Sequence, residues 1–230
     1  MRFDPVPPGV YPDAVHPPYK STTLRGQKRA SLRIETPLPV SQGIGFRREL
    51  VVAGDADLTT RGAGAPLGEK IVVTGRVADE DGSPVRDSLI EVWQCNSAGR
   101  YFHRKDQHDA PLDPNFFGFG KFFTDGAGNY RFVTIKPGPY PWGNHDKAWR
   151  PAHIHFSLFG NVYAQRLVTQ MYFPGDPLHA LDPIFNSIPD AAARQRLVAN
   201  FSLDDTVGDR MLGYRFDIVL RGRGATPMGR

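Results

Sequence analysis

From residue 69 onward the chain is cut into short apolar runs by glycine and proline, and no run is long enough for a substantial helix bundle. EKIVVTGRVAD (69–79) is followed by the turn EDGSP. SLIEVWQC (88–95) alternates Leu89, Glu91 and Trp93 against Ile90, Val92 and Gln94. GKFFTDGAGNYRFVTI (120–135), AHIHFSLFG (152–160), QRLVTQMYF (165–173) and GYRFDIVLRG (213–222) are β-rich in the same way. A period of two places alternate side chains on opposite faces of a strand. Many such runs between turn residues predict a β-sandwich. The Gly-rich turn inside 120–135 reads as a hairpin connection. One segment, PDAAARQRLVAN (189–200), reads as a helix with Asp190 as its N-cap. The expected fold is therefore all-β, a mixed-topology sandwich with one or two short helices. Fifteen Phe and eight Tyr among 230 residues supply enough apolar bulk for one large core.

Three segments follow from the patterning. Residues 1–68 are rich in Pro and Gly and weakly periodic, which predicts an extended N-terminal arm lying over the domain or a partner, a candidate subunit interface. Residues 69–222 form the sandwich. Residues 223–230, ending RGRGATPMGR with the two residues before them, read as a loose tail.

Charge and cysteine count narrow the function classes. The net charge of +4 is scattered, with no basic block longer than a pair, which argues against a nucleic-acid partner. Cys95 is the single cysteine, so no intrachain disulfide can form, and its apolar strand predicts a buried packing role. No secretory core or membrane-spanning run is visible, and the expected location is cytoplasmic. HExxH, CxxC and GxSxG are absent, and the Gly-Lys at 120 and 121 is followed by Phe122, so zinc-protease, α/β-hydrolase and P-loop readings lack their residues.

WRPAHIHF (149–156) raises a different possibility. On a strand, His153 and His155 project from one face while Ile154 turns away, and two imidazoles so placed can share a metal ion. The same pattern also fits two ordinary polar residues on a half-exposed strand. Tyr140 lies upstream in the stiff run PGPYPW, and Tyr101 ends NSAGRY.

Several longer motifs occur together: LIEVWQCNSAGRY (89–101), PLDPNF (111–116), TIKPGPYPW (134–142), WRPAHIHF, TQMYFPGDP (169–177) and YRFDIVLRG (214–222). In this order, across residues 69–222, they resemble the intradiol ring-cleaving dioxygenases, and PPYKST (17–22) in the arm extends the likeness. The resemblance implies a mononuclear non-haem Fe(III) held by Tyr101, Tyr140, His153 and His155. It implies an oxidoreductase that inserts both atoms of O2 into a small aromatic diol, opening the ring between the hydroxylated carbons. By the family pattern Tyr140 would be displaced when the diol binds. Arg150 would stabilise charge developing on the ring, with Gln170 a hydrogen-bond partner near the iron. Trp142 and Trp93 could wall a flat ring, and Tyr19 could reach a substrate carboxylate. The arm lacks the helical pattern of the catechol and hydroxyquinol members, which favours protocatechuate (3,4-dihydroxybenzoate) and the product 3-carboxy-cis,cis-muconate. All four ligand positions are filled, so the chain would be the iron-bearing member of a pair. Its partner would be a related α chain lacking the ligands, in a higher αβ oligomer. Three other readings stand beside this one: an intradiol dioxygenase for another catechol, a sandwich-fold assembly subunit without catalysis, and a zinc hydrolase using the histidine pair.

Overall fold

The computed structural model describes residues 6–29, 48–144, 146, 149–159 and 166–229. Residues 1–5 and 30–47 of the expected arm, the ends of two expected strands at 160 and 165, and residue 230 lie outside the described residues.

The strands are β1 (Lys70–Ala78), β2 (Leu89–Trp93), β3 (Phe119–Phe123), β4 (Asn129–Ile135), β5 (Tyr140–Pro141), β6 (Trp149–Arg150), β7 (His153–Phe159), β8 (Arg166–Tyr172), β9 (Asn200–Val207), β10 (Met211–Arg215) and β11 (Ile218–Val219). Among the described residues three short α-helices accompany them: α1 (Thr22–Arg25), α2 (Pro183–Asn186) and α3 (Ala191–Gln195).

One sheet is mixed. β4 runs antiparallel to β1, while β10 and then β11 run parallel to successive stretches of β1, and β9 is antiparallel to β10. The other sheet is antiparallel, in the order β3-β2-β7-β8. β5 and β6 form a separate two-stranded ribbon. The period of two decides what lies between the sheets. Ile71, Val73 and Phe132 come from the mixed sheet, and Ile90, Val92, Ile154, Phe156, Leu158 and Met171 from the antiparallel one; all belong to one buried cluster. The residues between them on β2, β7 and β8 therefore face away from this core. Trp93, His153, His155, Gln170 and Tyr172 lie on that outer face, and the site is built there.

Three expectations need correction. The run 120–135 is not a hairpin: β3 pairs with β2, and β4 pairs with β1 in the other sheet. The turn closes locally, with Asp125 N–H donating to Asn129 O and Gly128 at φ 80°. Thr124 is buried, however. Its hydroxyl donates to Val85 O and accepts from Ser88 N–H, which anchors the turn to the 85–88 loop and carries the chain from one layer to the other. The helix in 189–200 is short. Asp190 caps it as expected, accepting from Ala192 N–H at 2.8 Å, but it spans only Ala191–Gln195. Beyond it, Leu197 O and Ala199 N–H both bond to the backbone of Tyr172, so tertiary pairing overrides helical preference. The C-terminal segment is not loose through residue 229. Ala225 and Thr226 are buried, Met228 packs on the main core, Thr169 donates to Pro227 O, and Gly229 N–H bonds Val168 O.

The described parts of the arm lie on the domain itself. Leu58 is fully buried in the main core, and Val10 joins a second cluster with Tyr172, Phe185, Ile188 and Leu197. The core thus extends past both ends of residues 69–222.

Candidate metal centre

Two walls make the site. The first is the outer face of the antiparallel sheet. His155 is paired with Trp93 on one side and Gln170 on the other, and His153 is paired with Tyr172. Trp93 stacks flat on the His155 ring, with centroids 4.8 Å apart and planes 1° from parallel. His153 Nδ1 lies 2.7 Å from Pro151 O. A carbonyl can only accept, so Nδ1 carries the hydrogen and Nε2 is left with its lone pair facing the site.

The second wall is two loops. Asn96 Oδ1 accepts from the backbone N–H groups of Ala98 and Arg100, folding a tight turn that delivers Tyr101. Tyr101 N–H is tied to Asp106 Oδ2 at 2.7 Å. Gly99 sits at φ 79°, and a Cβ there would overlap the Pro139 carbonyl; one on Gly138 would overlap Ser97 O. Both glycines are needed for the loops to touch. Gly138 N–H then bonds Asn96 O, and the Cys95 thiol donates to Gly138 O, in keeping with its expected buried role. Tyr140 follows at once in β5, directly across from Arg150 in β6.

These walls bring four donor atoms together. His153 Nε2 and His155 Nε2 are 3.2 Å apart, His155 Nε2 and Tyr101 Oη 3.2 Å, and Tyr140 Oη and His153 Nε2 3.4 Å. Donors about 2.1 Å from a common ion would lie roughly 3.0 Å apart at right angles and roughly 3.4 Å apart at tetrahedral angles. The observed spacings fall in that interval, so the set fits a single metal ion. Among the described residues no three His, Cys, Asp or Glu side chains group closely enough to hold a metal. Beyond the two imidazoles, the protein donors at this point are the two phenols.

The electrostatics agree. Burial, and then the Arg150 charge, hold His153 well below the ordinary imidazole range; burial, His153 and Arg150 do the same for His155. Both rings are neutral and able to ligate. Burial pushes the Tyr101 phenol well above its ordinary value, with Tyr140 adding to the effect. Burial also raises Tyr140, against the opposing pull of Arg150. A highly charged cation held between them would oppose that effect and favour the phenolate form of both.

A family model described as "Dioxygenase" matches residues 46–222. The chain belongs to the intradiol dioxygenase family. The protocatechuate 3,4-dioxygenase beta chain of Burkholderia cepacia is 59% identical over 222 residues, covering 96% of this chain and 94% of that one. The protocatechuate 3,4-dioxygenase alpha chain of Pseudomonas putida is 34% identical over 161 residues, 69% of this chain and 75% of that one. The crystal structure of 3-chlorocatechol 1,2-dioxygenase from Rhodococcus opacus 1CP superposes with a TM-score of 0.56 at 20% identity, over 87% of this chain and 76% of that one, and shows the shared fold. The dioxygenase thus belongs to a family of non-haem iron enzymes. No helix among the described residues is long and apolar enough to cross a membrane.

The remaining expected residues fall around the cluster. Arg150 is almost wholly buried, its Nη1 3.0 Å from His153 Nε2 and 3.4 Å from Tyr140 Oη. Gln170 meets the cluster through Arg150, accepting from Nη2 at 2.6 Å. The Arg150 guanidinium also lies over Trp142, 5.4 Å from the ring centroid. Tyr19 is buried in an edge contact with Trp142, with the Arg25 guanidinium over its ring. Beside Tyr101 and Trp93 opens a hollow of about 470 Å³, whose lining includes Phe102, His103, Lys105 and Phe117. Asp182 and Tyr172 went unmarked in the sequence, yet they hold the far side of Arg150. Asp182 is followed by Pro183 and an apolar pair, a pattern that signals a helix cap and conceals an ion-pair role.

Proposed function

We propose that this dioxygenase binds Fe(III) through Tyr101, Tyr140, His153 and His155 and cleaves protocatechuate with O2 between its two hydroxylated carbons, giving 3-carboxy-cis,cis-muconate. The observation that carries the reading is the convergence of two phenol oxygens and two imidazole nitrogens at 3.2 to 3.4 Å. Identity of 59% to a protocatechuate 3,4-dioxygenase beta chain, over nearly the whole of both chains, supports the choice of substrate.

Tyr101, Tyr140, His153 and His155 would hold the ferric iron, which when bound would supply Lewis acidity for the diol oxygens. The chain does the rest. Phenolates are hard anionic donors that favour the ferric state, and neutral imidazoles complete the set without excess charge. Tyr140, next to the Arg150 guanidinium, is the phenol placed to take a proton from an incoming diol. Arg150 presents a fixed positive edge to charge developing on the ring. Gln170 supports Arg150, and Trp142 offers a flat wall, with Tyr19 behind it.

The partner is a related α-type chain in an αβ oligomer, in keeping with the likeness to both chain types. The arm leaves the apolar side chains of Leu24, Leu50, Val52 and Leu67 exposed, which suits a subunit contact. The cytoplasm, where a lone buried thiol stays reduced, is the fitting compartment.

The test is O2 uptake by the iron-loaded protein, co-expressed with an α-type chain, on protocatechuate, catechol and hydroxyquinol. One O2 consumed per protocatechuate, with the muconate as product, is expected. Turnover of another catechol but not protocatechuate would reassign the substrate, and no uptake with any diol would overturn the reading.

A further inference from the structure

We propose that Asp182, together with Tyr172, is a positioning residue for the reaction: the pair clamps the back of the Arg150 fork so that its Nη1 edge faces Tyr140 and His153. This rests on the reading of the donor cluster as the active site.

A guanidinium carries five N–H groups in one plane, so fixing two of its nitrogens orients the third. Arg150 is held in this way. Nε donates to Asp182 Oδ1 at 3.3 Å, and Nη2 lies 2.9 Å from Asp182 Oδ2, a two-pronged ion pair. Nη2 also reaches Tyr172 Oη at 3.0 Å and Gln170 Oε1 at 2.6 Å. The Nη1 edge is directed at the donor cluster.

Asp182 is itself set by elements outside the cluster. Its Oδ1 accepts from Ile184 N–H at 3.1 Å and caps α2, while Oδ2 accepts from Tyr172 O–H at 2.9 Å. Its own N–H bonds Leu178 O. Tyr172 stands on β8 opposite His153 and is wedged against Phe185 of α2. Asp182 and Tyr172 are both fully buried, and the Arg150 side chain is 2% exposed. An uncompensated guanidinium is not tolerated at such depth. Asp182 therefore permits a cation to stand beside the metal donors, and its geometry selects which edge of that cation they meet. Neither Asp182 nor Tyr172 hydrogen-bonds a donor atom. The Tyr172 ring lies beside His153, but its hydroxyl, the group that Tyr172→Phe removes, meets Arg150, Asp182 and Gln170, so the carboxylate and the hydroxyl both act through Arg150.

A role confined to helix capping or stability predicts a different outcome from a role exerted through Arg150, and two readouts separate them. The first is structural: crystal structures of the assembled protein, with and without iron, for the wild type, Asp182→Asn and Tyr172→Phe. In the wild type Nη1 should stay within hydrogen-bond reach of His153 Nε2 in the iron-free form. In Asp182→Asn it should leave that position. The second is a double-mutant cycle on turnover. Asp182→Asn should lower kcat about tenfold with KM moving less than about twofold, and in an Arg150→Gln background it should add less than about a twofold further loss. If Asp182→Asn fails to fold, Tyr172→Phe carries both readouts with an expected loss of about threefold. Arg150 keeping its place in the variant, or an equal loss in both backgrounds, would overturn the proposal. A wild-type protein that opens no catechol would defeat the reading of function, and the structural comparison would still decide the role of Asp182.

Discussion

The two walls of the candidate metal centre reach the same point by different physics. The histidine wall is a strand. His153 and His155 share a face because side chains alternate, and their spacing is enforced by the β2 and β8 ladders on either side. The tyrosine wall is two loops held in contact by glycines. Tyr101 and Tyr140 are 39 positions apart in sequence, and they meet only because Gly99 and Gly138 let two backbones approach without a Cβ between them. A strand wall tolerates change in its surroundings; a loop wall depends on a few positions that carry no chemistry of their own.

Substitutions in each wall would sharpen the contrast. The largest effect is expected from His153→Ala or His155→Ala. Each removes a donor held by a rigid strand, and iron affinity should fall by at least about a hundredfold, measured by competitive chelation. The fold should survive, because the β7 core residues are Ile154, Phe156 and Leu158. Next is Gly99→Ala, which touches no donor. The residue would be forced to keep φ 79° while its methyl met Pro139 O, a strain on the order of 1–3 kcal/mol. Iron affinity should drop about tenfold as the loops part. His153 and His155 should not move in the variant's crystal structure, and displacement of both walls together would break the comparison. A smaller change is expected from Trp93→Leu, which removes the stack on His155, worth about 0.5–1.5 kcal/mol in melting experiments. The smallest concerns Cys95, behind the loop wall. Burial pushes its thiol up to about 12, so the native protein should not react with a thiol reagent at pH 8 and the unfolded chain should.

The same contrast explains what could be read in the sequence. The sandwich, the face shared by His153 and His155, and the Asp190 cap follow from local periodicity and capping chemistry. The layer change at Thr124 does not, because Asp125 and Gly128 form the same turn whether the next strand stays in its sheet or leaves it. The early end of α3 and the burial of Ala225 and Thr226 also depend on distant partners, Tyr172 and Thr169 among them. Residue types and spacing marked the two histidines as a candidate, while the tyrosines were assigned through family resemblance. Asp182 was missed because its ion pair with Arg150 spans 32 positions and its local pattern is already accounted for by capping.

The most direct test of the central claim is titration of Fe(III) into the metal-free protein, followed by visible absorption before and after protocatechuate is added under argon. A broad phenolate-to-iron band is expected that saturates at one iron per chain, shifts with the diol, and is abolished by replacing Tyr101 and Tyr140 together with Phe. Iron bound at that stoichiometry without colour, or colour that survives the loss of both tyrosines, would contradict it.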